Sequence, residues 1–239
     1  MKELCERWRD TGLFEDICGP KKWRAEMYPV YRDPFAAHDY PIPGQADEET
    51  EKLNYAFEME RSACALFGVV TYGIHMTVFV RDVSKKVRIW VPTRAKTKQT
   101  FPGLLDNTVA GGIPSGMGMF ESLVKECMEE ASIPEDVVRK YARATGSISY
   151  FFRYTYDMEI PPSEPNLFEP KPSDGEVEFF ELLDQDEVIK RMKADLFKPN
   201  CALVIIEFLI RYGYITPDNE ANYQKIIVRL HGDFDYYRW

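Results

Sequence analysis

The stretch that most constrains the fold is residues 110–133, AGGIPSGMGMFESLVKECMEEASI. Its first half is rich in glycine and predicts a turn. Its second half carries apolar residues at helical spacing, which predict an amphipathic helix with one stripe in a core. That stripe consists of Phe120, Leu123, Val124, Cys127 and Ala131.

Three glutamates share a second face of the same helix. Glu126, Glu129 and Glu130 stand at positions i, i+3 and i+4. Like charges on one helical turn repel each other unless a cation neutralises them, and carboxylate oxygens at this density suit Mg²⁺ or Mn²⁺. Taken alone, the three glutamates also fit an ordinary solvated face. The glycine pair Gly111–Gly112 directly upstream favours the metal site.

At these residues the chain resembles the Nudix hydrolases, whose box reads G-x5-E-x7-R-E-U-x-E-E-x-G-U, with U an aliphatic residue. Gly111 matches the first glycine, and Glu126 matches the glutamate of the RE pair. Glu129 and Glu130 match the EE pair, and Ile133 matches the closing aliphatic position. The resemblance implies an α+β Nudix fold, an α/β/α sandwich around a mixed β-sheet. It also implies that the three glutamates bind a divalent metal ion.

Three positions depart from that box. Met117 stands in place of the first glutamate, Lys125 in place of the arginine, and Ser132 in place of the last glycine. Lysine keeps the positive charge but lacks the bidentate fork of arginine. The family uses the first glutamate and the arginine mainly to support the loop and helix. We therefore interpret these departures as a paired structural change that leaves the metal-binding carboxylates in place.

A wider resemblance covers residues 23–231, through WVPTRAKTKQTFPG, LLDNTVAGGIPSGM and KECMEEAS. These segments look like the Nudix branch related to the C-terminal part of thiamine pyrophosphokinase-fused fungal proteins and its free-standing fungal and plant relatives. Such proteins cleave diphosphates of thiamine and of damaged analogues such as oxythiamine diphosphate. The resemblance implies a substrate of this type, released as a monophosphate and phosphate.

Basic residues precede the predicted metal helix at alternating positions. Arg94, Lys96 and Lys98 fall on one side of an extended segment if that segment is a strand. Beside a Nudix box, we interpret them as contacts for the diphosphate oxygens, since charge-assisted hydrogen bonds are strong. A solubilising loop is the alternative. Further substrate-binding candidates in the resembling segment are Asp106, Asn107, Gly111 and Gly112.

Two later segments add candidates. The run of residues 147–160, SISYFFRYTYDMEI, reads as one strand with an aromatic face that contains Tyr150. That face either belongs to the core or forms a stacking wall for a heteroaromatic ring. In the following proline-rich loop, Glu176 is the best candidate for an additional metal ligand or for the base that activates water, and Asp174 is the second.

Composition restricts the class of partner. A net charge of −9 argues against a nucleic-acid backbone, and no apolar run approaches the roughly 18 residues that a membrane span needs. The five cysteines are scattered without a CxxC pair, which favours a reduced cytoplasmic protein. We expect a small-molecule diphosphate substrate and a monomer or homodimer. The expected domains are an N-terminal arm, residues 1–64, and a Nudix domain, residues 65–239.

Two other functions remain open at this point. One is a Nudix hydrolase for a different diphosphate: an isoprenoid diphosphate, ADP-ribose, a dinucleotide or a sugar nucleotide. The other is a catalytically weak Nudix module that binds a ligand, for which Met117, Lys125 and Ser132 are the evidence. His75 lies inside a predicted central strand, residues 66–80, and we interpret it as an interior residue with a satisfied hydrogen bond.

Overall fold

A computed structural model describes residues 1–42, 47–82, 86–149, 152–164 and 167–232 of the chain. The chain forms two compact units. The first comprises Met1–Tyr72 with Gly112–Gly118, and the second comprises Gly73–Gly111 with Met119–Trp239. No helix among the described residues is both long and apolar enough to cross a membrane.

The first unit contains short helices and one two-stranded sheet. Its helices are α1 (Lys2–Thr11), α2 (Glu15–Cys18), α3 (Asp47–Thr50) and a 3₁₀ helix (Arg61–Phe67), and its strands are β1 (Met27–Tyr31) and β2 (Tyr55–Glu60). The two strands pair antiparallel. Their small core is built from Cys5, Cys18, Tyr28, Met59, Ala63 and Cys64. The sequence predicts a helix over residues 2–8, which α1 confirms, and an extended segment over residues 23–31, of which residues 27–31 form β1.

The second unit contains the large sheet. Its strands are β3 (Gly73–Arg81), β4 (Val87–Arg94), β5 (Val109–Gly112), β6 (Arg143–Ile148), β7 (Arg153–Glu159) and β8 (Val177–Asp184). Its helices are α4 (Met119–Ala131), α5 (Glu135–Tyr141), α6 (Gln185–Lys193), α7 (Pro199–Arg211) and α8 (Tyr223–His231).

The large sheet is mixed, as expected for an α+β fold. Its strand order is β6-β7-β3-β4-β8, and β5 pairs with β3 at one side of that path. Strands β3 and β7 are parallel, whereas β4 is antiparallel to both β3 and β8. The strand β3 is therefore central, and β5 carries the chain from the sheet into the loop before α4.

Helices cover both faces of this sheet. On one face, Phe79 and Ile89 belong to a core cluster with Phe208 of α7 and Val188 of α6. Side chains alternate along a strand, so the neighbouring residues of β3 point to the other face. There α4 packs on β3, and its Phe120 lies 6.0 Å from the ring of Tyr156 on β7.

Two strand predictions were wrong in extent. The predicted strand over residues 66–80 is interrupted, because residues up to Phe67 form the 3₁₀ helix and β3 begins only at Gly73. The predicted strand over residues 147–160 is a hairpin of β6 and β7. Phe152 has a positive φ of 43° in its turn, which ends any continuous alternation. Phe152 therefore does not share a strand face with Tyr154.

The predicted extended segment around Arg94, Lys96 and Lys98 is also wrong. Strand β4 ends at Arg94, and the amide of Lys98 donates a hydrogen bond to the carbonyl of Ala95, which closes a turn. The sequence also predicts helices over residues 133–142, 184–192 and 201–212, and α5, α6 and α7 confirm them. Helix α8 was not predicted.

All five cysteines are buried unpaired thiols. Cys127 lies on the inner stripe of α4, Cys64 in the core of the first unit, and Cys201 at the start of α7. The sequence predicts these three as buried small residues in apolar settings. All three are buried, but the thiol of Cys201 lies against the carboxylate of Asp106.

Candidate active site

Helix α4 presents its glutamates because its opposite face is apolar. Leu123, Val124, Cys127 and Ala131 are buried, and α4 packs on β3 through that side. The prediction of a turn followed by an amphipathic helix is therefore confirmed. The stripe fixes the rotation of the helix and so determines where each glutamate points.

Gly111 of β5 makes room for Glu126. An ideal Cβ at residue 111 would lie 2.3 Å from Cδ of Glu126, much closer than a real contact allows. The side chain of Glu126 is only 15% exposed. Glycine at this position thus lets the carboxylate of Glu126 lie directly against the backbone of β5.

Glu130 lies near Glu126 in a strongly negative environment. The amide of Ala110 donates a hydrogen bond of 3.1 Å to its Oε2. Burial raises the pKa of Glu130 well above its usual value, and the negative charges of Glu126, Asp106 and Glu176 raise it further. Strand β5 therefore holds two carboxylates together where their charges oppose one another.

This donor set fits a hard divalent cation. Within the part of the chain that the structure describes, no three His, Cys, Asp or Glu side chains already stand in a metal-binding arrangement. The chemistry of the residues nonetheless suits such an ion, because Glu126 and Glu130 offer only oxygen donors and a nearby cation would offset their mutual repulsion.

Glu129 has a different partner. Its carboxylate lies 2.7 Å from Nζ of Lys125, which is also 3.6 Å from Glu126. The side chain of Glu129 is 51% exposed. Lys125, the residue that replaces the arginine of the box, therefore bridges two of the three glutamates and holds Glu129 at the solvent side of α4.

Glu176 is placed close to the basic turn after β4. Its Oε2 forms a tight ion pair with Nζ of Lys98. Its amide donates to Oδ1 of Asp174 at 2.8 Å, and its carbonyl accepts from Ala95 at 2.9 Å. The turn thus brings Lys98 to Glu176, whereas Lys96 is exposed and only its amide contacts Glu178.

Arg94 is buried and fully engaged. Its Nη1 lies 2.6 Å from Oδ2 of Asp106. Its Nε and Nη2 donate to the carbonyls of Phe101 and Thr100 at 3.0 and 2.8 Å. The guanidinium of Arg94 thus joins the end of β4 to Asp106 and to the loop between them, in contrast to the free phosphate contact that the sequence suggested.

Asp106 is the centre of a buried polar network. Lys198 lies 3.4 Å from its Oδ2, and the thiol of Cys201 lies 2.6 Å from its Oδ1. Burial alone would raise the pKa of Asp106, but the charges of Lys198 and Arg94 hold it well below its usual value. Asp106 is therefore a fixed negative charge close to Glu130. Lys198 lies just before α7 and Cys201 lies in its first turn, so far along the chain from Asp106 that the residue pattern does not predict either contact.

Asn107 connects the network to His75. Nδ1 of His75 and Oδ1 of Asn107 are 2.7 Å apart, and Nδ2 of Asn107 donates to the carbonyl of Cys201 at 3.2 Å. Burial lowers the pKa of His75 to about 3, with further lowering by the charges of Arg153 and Lys198. His75 is thus a neutral interior residue that donates to Asn107, which confirms its interpretation.

Gly112 and Tyr150 are the two remaining candidates for substrate binding. Gly112 approaches Tyr28 so closely that an ideal Cβ would lie 1.5 Å from its hydroxyl oxygen. Gly112 therefore admits the Tyr28 side chain within the first unit. Tyr150 lies outside the described residues.

The loop after α4 shows what Ser132 does in place of the last glycine of the box. Ser132 has a φ of 54°, in the left-handed region that favours glycine. Its hydroxyl donates to the carbonyl of Lys171 at 3.1 Å, and the amide of Lys171 donates to Ala131 at 2.9 Å. The chain thus keeps the backbone shape of the box and uses serine to attach a second loop to it.

Comparison with known proteins identifies relatives of this site. The chain is 39% identical over 245 aligned residues to the uncharacterized protein YJR142W of Saccharomyces cerevisiae, which covers 93% of this chain and 65% of the yeast protein. It is 40% identical over 185 residues to Nudix hydrolase 20, chloroplastic, of Arabidopsis thaliana, which covers 73% of this chain and 48% of the plant protein. The chain thus spans from about half to about two thirds of the length of these relatives.

The fold also has a solved counterpart. The crystal structure of DR0079 from Deinococcus radiodurans matches with a TM-score of 0.54 at 20% identity, over 76% of this chain and 98% of that one. No protein-family model matches the chain. The chain is thus similar in sequence to a plant Nudix hydrolase over 73% of its length, and similar in fold to DR0079.

Proposed function

We propose that this chain is a divalent-metal-dependent hydrolase that cleaves the diphosphate of a small organic compound. The observation that carries the proposal is the pair of carboxylates, Glu126 and Glu130, held together by the backbone of Gly111 and Ala110. Like charges held close together repel each other, and a divalent cation bound there would offset that repulsion.

Glu126 and Glu130 would hold Mg²⁺ or Mn²⁺, with Glu129 and Glu176 as further ligand candidates. When bound, such an ion supplies positive charge to the diphosphate oxygens and lowers the pKa of an attacking water. Glu129 and Glu176 each have a lysine partner, so they can exchange that partner for the ion or for substrate when the site fills.

The basic residues divide into two roles in this proposal. Lys98 and Lys96 lie in the turn after β4 and are the contacts for phosphate oxygens. Arg94 is a positioning residue, because its hydrogen bonds go to Asp106, Thr100 and Phe101. Asp106 and Asn107 likewise position the site through the buried network. Glu176, held by Lys98, is the candidate that takes the proton of the attacking water.

Thiamine diphosphate and its damaged analogues are the substrates we propose. Their support is the resemblance in residues 90–132, which contains the turn, β5 and most of α4. The Arabidopsis relative is a Nudix hydrolase by name, without a stated substrate. An isoprenoid diphosphate, ADP-ribose or a dinucleotide would use the same carboxylates. We also predict that the protein is cytoplasmic and that it is a monomer or a homodimer.

The test is phosphate release with Mg²⁺ or Mn²⁺ from thiamine, oxythiamine and isoprenyl diphosphates, ADP-ribose and a dinucleotide. The variant is Glu130→Gln, and the matched control is Glu121→Gln on the same helix, whose carboxylate pairs with Arg139 at the surface. Release from thiamine-type compounds that only Glu130→Gln abolishes supports the proposal. A different preferred compound removes the thiamine specificity. No release from any compound, with ligand still bound in chelator, favours a ligand-binding module.

A further inference from the structure

A pocket of about 680 Å³ lies in the second unit, away from the carboxylate pair. Val80, Trp90 and Leu182 line it from the sheet, and Phe168 and Glu169 line it from the loop after β7. This volume suits a drug-sized or cofactor-sized molecule.

The pocket uses the same face of the sheet as α4. Ile89 and Val91 of β4 belong to the core cluster under α7, so Trp90 between them points to the opposite face. Across the strands, Trp90 is paired with Leu182. Pro92 shares the face of Trp90 and is paired with Phe180 of β8. Two rows of side chains therefore run from the pocket toward the end of β4.

That end of β4 carries the polar network of the candidate active site. Arg94 lies four positions after Trp90, which corresponds to about 13 Å along a strand. Arg94 pairs with Asp106, and the turn after Arg94 carries Lys98, which pairs with Glu176. A second connection runs through the loop, because the amide of Lys171 is bonded to the carbonyl of Ala131, next to Glu130.

We propose that this pocket, called here the Trp90 pocket, binds the organic part of the substrate, and that this part is a planar nitrogen heteroaromatic ring. The inference rests on the proposed function, since it assumes a diphosphate at the carboxylate pair. A molecule whose diphosphate lies at the turn after β4, beside Lys98, would extend along β4 and place its ring against Trp90.

The lining of the pocket favours a heteroaromatic ring over an aliphatic chain. Trp90, Leu182 and Phe168 offer apolar surface, and aromatic side chains gain extra stabilisation from stacked or edge-on rings. Arg88 and Glu169, of opposite charge, also border the pocket. An isoprenoid chain would offer no hydrogen-bonding group to these two exposed side chains. Ring nitrogens can donate to or accept from them.

Ring binding can be measured without turnover. Calorimetry in excess EDTA would compare thiamine, adenosine and isopentenol, none of which carries a phosphate, on the wild-type chain. Variants are Trp90→Leu, which removes the ring, and Trp90→Phe, which keeps an aromatic surface. The control is Phe179→Leu, an exposed residue on the other face of β8. Phe168→Ala on the loop side supplies the same test if Trp90→Leu does not fold.

We expect thiamine or adenosine to bind and isopentenol not to bind. Trp90→Leu should weaken ring binding about tenfold, the factor that corresponds to a stacking contact of about 1.4 kcal/mol. Trp90→Phe should weaken ring binding about threefold or less, and Phe179→Leu should bind the ring compounds with wild-type affinity. Which of the two ring compounds binds tells a thiamine-type substrate from a nucleotide. Equal binding by wild type and Trp90→Leu, preference for isopentenol, or no ring binding would overturn the proposal.

The result separates this inference from the proposed function. Ring binding that depends on Trp90, in a protein that releases no phosphate, would support the pocket and contradict the hydrolase. Hydrolysis of a heteroaromatic diphosphate with the same KM in wild type and Trp90→Leu would support the hydrolase and contradict the pocket.

Discussion

The backbone of Gly111 lies against the side chain of Glu126, so that an ideal Cβ on residue 111 would stand 2.3 Å from Cδ of the carboxylate. This contact explains why the glycine at the start of the box and Glu126 of α4 belong together. Residue 111 is in β5 and residue 126 is in α4, and the missing side chain of one leaves room for the carboxylate of the other.

Gly111→Ala should therefore lower turnover at least tenfold, because Glu126 must move from its place beside Glu130. The matched control is Gly118→Ala, where an added Cβ would meet no atom within 4 Å. Steady-state phosphate release measures both. If Gly111→Ala kept wild-type turnover, the close approach of Glu126 to β5 would not matter for activity.

Arg94→Lys should destabilise the second unit by about 3 kcal/mol, since lysine cannot replace the bonds of Arg94 to Thr100 and Phe101. Urea denaturation of the folded chain measures this change. The control is Arg139→Lys, which alters a surface arginine that pairs with Glu121 and should shift the midpoint little. Equal shifts for both variants would show that the buried network contributes no special stability.

The stability of the chain should fall as the pH is lowered from about 6.5 toward 3. The folded-state pKa of His75 is lowered to about 3, so only the unfolded chain binds a proton at this residue over that interval. The contribution is on the order of 3–5 kcal/mol. The charged groups that act on His75 are Arg153, Lys198 and Asp106.

Urea midpoints measured between pH 7 and pH 4 test this dependence. His75→Gln should flatten the profile relative to wild type, because glutamine does not titrate. His231→Gln, at a surface position beside Glu207, is the control for loss of a histidine and should keep the wild-type slope. An unchanged slope in His75→Gln would assign the acid sensitivity to other groups.

Ser132→Gly should be more stable than Ser132→Ala by about 1 kcal/mol. Both variants lose the hydroxyl bond to Lys171, and they differ in how easily they adopt a φ of 54°. Thermal melting compares the two. At Ala194, where φ is −92°, the preference should reverse and Ala194→Gly should be the less stable protein. A tie at residue 132 would indicate that the backbone relaxes without strain.

The sequence predicted features that depend on local pattern. Helix α4 is recognisable because its apolar stripe repeats at 3.6 residues. The carboxylates on α4 were also predictable, since their spacing alone puts them on one face. The pairing of Lys125 with Glu129 has the i, i+4 signal of an ordinary helical ion pair and could have been predicted.

Contacts between distant residues could not be predicted. Arg94 forms an ion pair with Asp106, which lies twelve positions later in the chain. Lys198, just before α7, contacts the same carboxylate. The order of residue types along the chain does not show which side chains from distant segments come into contact. The hairpin of β6 and β7 was read as one strand because residues 147–160 alternate in the way that a strand does. Strand β6 ends at Ile148 and β7 begins at Arg153, and Phe152 between them has a positive φ of 43°.

Manganese binding to the apo protein, by titration calorimetry, tests the central claim that Glu126 and Glu130 form a metal site. Wild type should bind Mn²⁺, and Glu126→Gln or Glu130→Gln should weaken its affinity at least tenfold. Glu121→Gln, a carboxylate on the same helix that pairs with Arg139, should bind as wild type. Wild-type affinity in Glu130→Gln would contradict the account, because the metal would then be held by other residues.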